Sequence, residues 1–148
     1  MKPENKILII NGPNLNLLGK RKPEIYGRRS FDDYLKELRQ SFPDLIIDYF
    51  QSNHEGDLID RLHAADGRYT GVVLNAGGYT HTSVALRDAV EAVEVPVTEV
   101  HISDIRRREA FRRHSYLTDV CRATYAGHGL DGYRMAVEYL LRLSREDR

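Results

Sequence analysis

Residues 71–101 read GVVLNAGGYTHTSVALRDAVEAVEVPVTEVH. An apolar run, GVVLN, gives way to a small polar loop, AGGYTHT. A stretch from 83 to about 93 then has helical character, and PVTEVH returns to a short apolar run. Strand, helix and strand in that order make a right-handed crossover between parallel strands.

The same alternation extends in both directions. KILIIN (6–11) predicts a buried strand, followed by a basic loop over 12–29 rich in Gly, Pro and Asn. Ser30 suits the N-cap of a helix that starts at Phe31, carries Tyr34, Leu35 and Leu38 at helical spacing and is stopped by Pro43. LIIDYFQ (45–51) predicts a second strand, and 54–65 a helix with Leu58, Ile59 and Leu62 on one face. ATYA (123–126) suits a short fifth strand, and 131–143 a closing helix with Tyr133, Val137, Leu140 and Leu141 on its apolar side. Five such units predict an α/β fold: a flavodoxin-like three-layer sandwich around a five-stranded parallel sheet, in one domain over 1–148. An eight-unit barrel needs about 250 residues and is excluded by length.

The 148 residues hold 22 basic and 22 acidic side chains, a net charge of zero. That balance excludes the generally cationic surface on which nucleic-acid binding by counterion release depends. The cations are mostly arginine, 17 against 5 lysines, and arginine suits forked hydrogen bonding to planar anions. Only four consecutive apolar residues, Ile7 to Ile10, stand near the start. No signal peptide, membrane span or membrane partner is expected, and with the lone Cys121 and no Asn-x-Ser/Thr acceptor the expected compartment is the cytoplasm.

Ligands of open parallel sheets bind beyond the carboxyl ends of the strands, where the strand order reverses. Polar residues gather there in this sequence: Asn11 and Asn14, Ser52 and Asn53, Asn75 and His81, His101 and Ser103. The first of these loops, NGPNLNLLGKRKPEIYGRR (11–29), is long, basic and free of Ser and Thr, unlike a loop that cradles phosphate. It carries Arg21 and Tyr26 together. A cation beside a phenol, ordinarily of pKa about 10, favours the phenolate and suits it to act as a base, though a surface arginine and a packed ring would have the same spacing. Glu99 and His101 fall on one face of a strand, so the carboxylate can orient the imidazole. A capped or buried structural histidine fits that spacing too. His81, His101, His114 and His128 show no metal-ligand spacing, and no metal is expected. In IRRREAFRRHS (105–115), Arg108 and Arg112 stand four apart, as on one helical face.

Across Ile7 to about Leu143 the chain resembles the type II 3-dehydroquinate dehydratases. The resemblance is carried by NGPNLNLLGKRKPEIYG, QSNHEG, LNAGGYTHTSVALRDA, PVTEVHISDI, REAFRRHSYL and AGHGLDGY. It implies a cofactor-free hydro-lyase that removes water from 3-dehydroquinate, in the shikimate or quinate pathway, and a homo-dodecamer built from trimers. It further implies roles: Tyr26 as base with Arg21 beside it, Asn14 holding a water on the enolate oxygen, and His101 as acid oriented by Glu99. The substrate carboxylate would rest on Asn75, Ile102 and Ser103, the ring hydroxyls on His81 and Arg112, and Asp88 would reach a neighbouring subunit's site. Two departures stand out. Members commonly read HISN or HLSN, then I-H-A-R-E, where this chain has Asp104, Arg106 and Arg107. An acid beside the carboxylate site weakens anion binding unless an arginine neutralises it. A small-anion or nucleotide-binding module without catalysis is the alternative function for the same fold.

Overall fold

The computed structural model describes residues 5–20, 22–26 and 29–146, without the side chains of Pro23 and Tyr26. In chain order these form β1 (Lys6–Asn11), a one-turn helix α1 (Pro23–Tyr26), α2 (Phe31–Ser41), β2 (Ile46–Gln51), α3 (Glu55–Ala65) and β3 (Gly71–Asn75). Next come α4 (Val84–Ala92), β4 (Val97–His101), β5 (Ala123–Ala126) and α5 (Asp131–Glu146). The strands pair in the order β2-β1-β3-β4-β5, every pair parallel. The α/β, flavodoxin-like sheet expected from the sequence is therefore present.

Alternate side chains of each strand feed different cores. Ile7 and Ile9 join Val73 and Val100 on one face, while Leu8 and Ile10 join Val72 and Leu74 on the other. The first face is covered by α2 and α5, through Phe31, Leu35 and Leu38 and through Tyr133, Val137 and Leu140. The second is covered by Leu58 and Leu62 of α3 and Leu86 and Val90 of α4. Handedness sets the faces of α2, α3 and α4: the chain moves outward from β1 to β2, then back across to β3 and on to β4, and a right-handed crossover changes face when its direction reverses. The starts of α2 and α4 are set by side chains, as Ser30 Oγ accepts from the Asp33 amide at 3.1 Å and Ser83 Oγ from the Leu86 amide at 2.9 Å.

The reversal lies between β1 and β3, whose last residues, Asn11 and Asn75, are in register. There the Gly12 amide donates to the Asn75 carbonyl at 2.7 Å. A Cβ on Gly12 would lie 2.4 Å from the Ala76 carbonyl oxygen and 2.7 Å from its carbon. Both are backbone atoms that no rotamer change moves aside. Gly12→Ala is expected to cost about 3 kcal/mol, read as a lower urea midpoint with an unchanged slope.

Between β4 and β5 the structure differs from the sequence reading. Residues 105–115 make no α-helix, and Arg108 and Arg112 do not share a helical face. Two separate 3-10 turns, Ile105–Arg107 and Ala110–Arg112, flank an extended pair, Arg108 (φ −100°, ψ −170°) and Glu109 (φ −56°, ψ 150°). The Asp104 side chain caps the start of the first turn by accepting from the Arg106 amide, and the turn ends at Arg108, whose extended backbone donates its amide to the Ile105 carbonyl. Among the described residues no helix is long and apolar enough to cross a membrane.

Candidate active site

A cleft of about 190 Å³ opens at the carboxyl ends of β1, β3 and β4, beside the reversal of strand order. Asn14, Asn75, His81, His101, Ile102, Ser103 and Arg112 all line it, so seven of the residues singled out from the sequence converge here. Glu99 lies immediately behind His101. Asp88 is exposed on α4 and is not part of the wall. Arg21 lies outside the described residues, as does the Tyr26 side chain, whose backbone ends α1.

The strongest electrostatic feature is the pair at the end of β4. His101 Nε2 stands 2.6 Å from Glu99 Oε2, with Glu99 fully buried and His101 5% exposed. The carboxylate only accepts, so Nε2 carries the hydrogen and Nδ1 is the nitrogen left for the cleft. Burial pushes the Glu99 carboxyl up, but the hydrogen bond and charge of His101, with the Ser115 and Thr118 hydroxyls, outweigh it and hold the group at about 2. Its ordinary value is 4.5, so folding favours the ionised form. The stabilisation is complete above pH 4.5 and is lost as the pH falls towards about 2. Glu99→Gln should flatten this part of the acid-unfolding curve followed by circular dichroism; an unchanged curve would place the acid transition on other groups.

Asn75 is held at both ends of its amide. Its Nδ2 donates to the Tyr133 hydroxyl at 2.9 Å, and its Oδ1 accepts from the Gly77 amide at 3.2 Å. Tyr133, fully buried, in turn donates to Asn11 Oδ1 at 2.7 Å. One hydrogen of the Asn75 amide is thus committed to the core, and the second remains for a ligand in the cleft. Asn14 sits in the left-handed region at φ 69°, which asparagine tolerates better than most residues. Its amide donates to Asn53 Oδ1 at 3.0 Å, and Gln51 Nε2 donates to the same oxygen at 3.2 Å. The QSN run at the end of β2 therefore fixes the loop after β1.

His81 Nδ1 lies 2.8 Å from the His114 carbonyl, so Nδ1 donates and Nε2 is bare. Burial lowers its pKa, with His101 and Arg112 lowering it further and the His114 carbonyl opposing them. His81 accordingly faces the cleft as a neutral ring, 6.4 Å from the His101 ring between centroids. Arg112 pairs with Glu109 at 2.9 Å. Arg108 also lines the cleft, with its side chain only 10% exposed and its Nη1 donating to Ser103 Oγ at 3.3 Å. Sequence reasoning placed Arg108 in a run of cations without a site role; the signal available was its place in the REAFRRHS motif. Helical spacing marks Tyr133 as a core residue and gives no sign of its bonds to Asn11 and Asn75. The Asp104 carboxylate accepts from the Arg106 amide at 3.1 Å and Nε at 3.4 Å, with Arg107 Nε at 3.7 Å. The backbone bond from Arg106, its side chain and the two positive charges hold the Asp104 carboxyl below its ordinary range. The extra acid of this chain is thus met by its extra arginines.

A wider depression of about 580 Å³ lies between α2 and the start of α5. Its charges are already matched, Arg29 with Glu37 and Arg134 with Asp131 and Glu138. It shares Ile102 with the cleft but none of the polar groups described above.

Comparison with known proteins agrees with this geometry. Residues 5–141 match the family model for dehydroquinase class II. A protein of Corynebacterium efficiens named 3-dehydroquinate dehydratase 1 is 56% identical over 137 residues, 91% of each chain. One of Pelodictyon phaeoclathratiforme, named 3-dehydroquinate dehydratase, is 51% identical over 91% of each chain. The crystal structure of a type II dehydroquinase from Butyrivibrio crossotus superposes with a TM-score of 0.89 at 42% identity, covering 94% of this chain and 99% of that one. With a doubly wound sheet, a cleft at its reversal point and this similarity over nearly its whole length, the chain belongs to the class II dehydroquinase family.

Proposed function

We propose that the chain dehydrates 3-dehydroquinate to 3-dehydroshikimate through an enolate, with Tyr26 as base and His101 as acid. Family membership supports the reaction class, that of a hydro-lyase. The observation that carries the mechanism is the buried Glu99–His101 pair presented to the cleft. The substrate is a β-hydroxy ketone bearing a carboxylate. A base takes the proton next to the carbonyl, the electron pair moves onto the carbonyl oxygen, and its return expels the hydroxyl as water once an acid has supplied a proton. With Nε2–H committed to Glu99, the proton delivered by His101 is the one on Nδ1. The ring must therefore carry hydrogen on both nitrogens when it acts.

The remaining roles follow the family pattern. Arg21 stabilises the Tyr26 phenolate, and Asn14 holds a water on the enolate oxygen. Asn75 with the backbone of Ile102 and Ser103 receives the substrate carboxylate, while His81 and Arg112 take the ring hydroxyls. Asp88, exposed on α4, is proposed to complete the site of a neighbouring copy in a homo-dodecamer of trimers. The chemistry proposed draws on groups of the protein and bound water and needs no cofactor. The deciding experiment is an ultraviolet assay for the conjugated enone with purified protein and no additions. Formation of the enone is expected; none at any substrate concentration would overturn the proposal.

Asp104 supplies a second measurement. Because Arg106 and Arg107 already meet its charge, Asp104→Asn is expected to change KM by less than about twofold, the scale of an exposed ion pair. A large fall in KM would show that the carboxylate repels substrate in spite of its partners.

A further inference from the structure

Glu99 has no exposed surface, yet three of its four partners come from a stretch on the outside of the molecule. Oε1 accepts from Thr118 Oγ1 at 2.7 Å and Thr124 Oγ1 at 2.9 Å. Oε2 accepts from Ser115 Oγ at 2.6 Å and from His101 Nε2 at 2.6 Å. Thr118 and Thr124 are exposed residues, Ser115 is half-buried, and none of the three lines the cleft.

A carboxylate has about four acceptor positions, and each oxygen here fills two. Ser115 Oγ is itself held, since it accepts from the Leu117 amide at 3.0 Å. The other titratable groups nearby leave this arrangement undisturbed: the Cys121 thiol is kept neutral by burial, and His81 lies beyond the His101 ring. Removing a hydroxyl would leave a buried carboxylate oxygen short of a donor and free to turn about the Cγ–Cδ bond, taking Oε2 off the imidazole.

We infer that Ser115, Thr118 and Thr124 are positioning residues, three hydroxyls that hold the Glu99 carboxylate in one plane, so that the His101 ring keeps Nδ1 towards the cleft. This rests on the proposal that His101 delivers the proton. None of the three touches substrate, so their effect should fall on kcat and leave KM alone.

The test compares Thr118→Val, Thr124→Val and the double variant with Thr118→Ser and Thr124→Ser in the full chain. Each Val variant is expected to lower kcat about tenfold, the scale of one hydrogen bond to a charged group. KM should stay within about twofold, and the Ser variants should restore kcat. The low-field Nε2–H proton resonance of His101 should move in the Val variants only. A folded double variant with unchanged kcat overturns the inference, as does a Ser variant as slow as its Val counterpart. Loss of fold and activity together, in Thr124→Val as well, would assign the hydroxyls to stability and overturn it too. His101→Ala, assayed alongside, separates the two levels. If it retains kcat, the acid role has failed; if it alone loses kcat, only the positioning role has.

Discussion

Tyr26→Phe is expected to lower kcat by about 10³-fold with the fold unchanged, within the range for loss of a positioned general base. The substitution removes one oxygen and keeps the ring, so packing is altered as little as a single change permits. Among the described residues no other phenol lines the cleft, and Tyr34 and Tyr133 are buried with their hydroxyls pushed up by burial, Tyr34 to about 12. Neither ionises near neutral pH. Arg21→Ala should give a similar loss and also carry the acid limb of the pH-rate profile upward, because a phenol without its cation ionises at higher pH. If the limb stays in place in Arg21→Ala, another group sets the ionisation of Tyr26. If Tyr26→Phe keeps its kcat, the base is elsewhere and the enolate mechanism needs a different first step.

His101→Ala is expected to lower kcat by about 10²-fold or more, again within the general acid-base range, with a smaller change in KM. The two losses differ in kind. Without the acid, the base still removes the proton next to the carbonyl, so in D₂O the recovered substrate should acquire deuterium at that carbon while little enone forms. Tyr26→Phe should abolish exchange and elimination together. Absence of exchange in a folded His101→Ala protein would mean that the imidazole takes part in forming the enolate, contrary to the role proposed. The variant also strips Glu99 of the partner at 2.6 Å. Three hydroxyl donors remain to it, so the fold should tolerate the change.

Much of this protein is legible along the chain. The strand and helix positions follow from runs and spacings within about ten residues. The cap at Ser30 follows from residue type, and the rule that polar residues gather beyond strand ends points to five of the residues that meet in the cleft, Asn14, Asn75, His81, His101 and Ser103. The stretch 105–115 reads as helical because arginine is a good helix former, and nothing local in the sequence announces that the turn begun at Asp104 stops at Arg107 or that Arg108 is extended. Arg108 stands in a run of cations, and only its place in the REAFRRHS motif sets apart the one whose side chain is drawn inward.

By itself the sequence determined the α/β alternation, the sheet with two covered faces, the site's place at the strand ends and the resemblance to a family. Only the tertiary structure decided which groups hold the site in shape. Tyr133 joins Asn11 to Asn75 across 122 and 58 residues, Asn53 fixes the Asn14 amide from 39 residues away, and Glu99 draws donors 16, 19 and 25 residues distant. Periodicity is a property of neighbours in the chain and can be read in order. A hydrogen bond forms within about 3 Å, and which distant side chains come that close is set only when packed helices and paired strands have fixed the backbone beneath them.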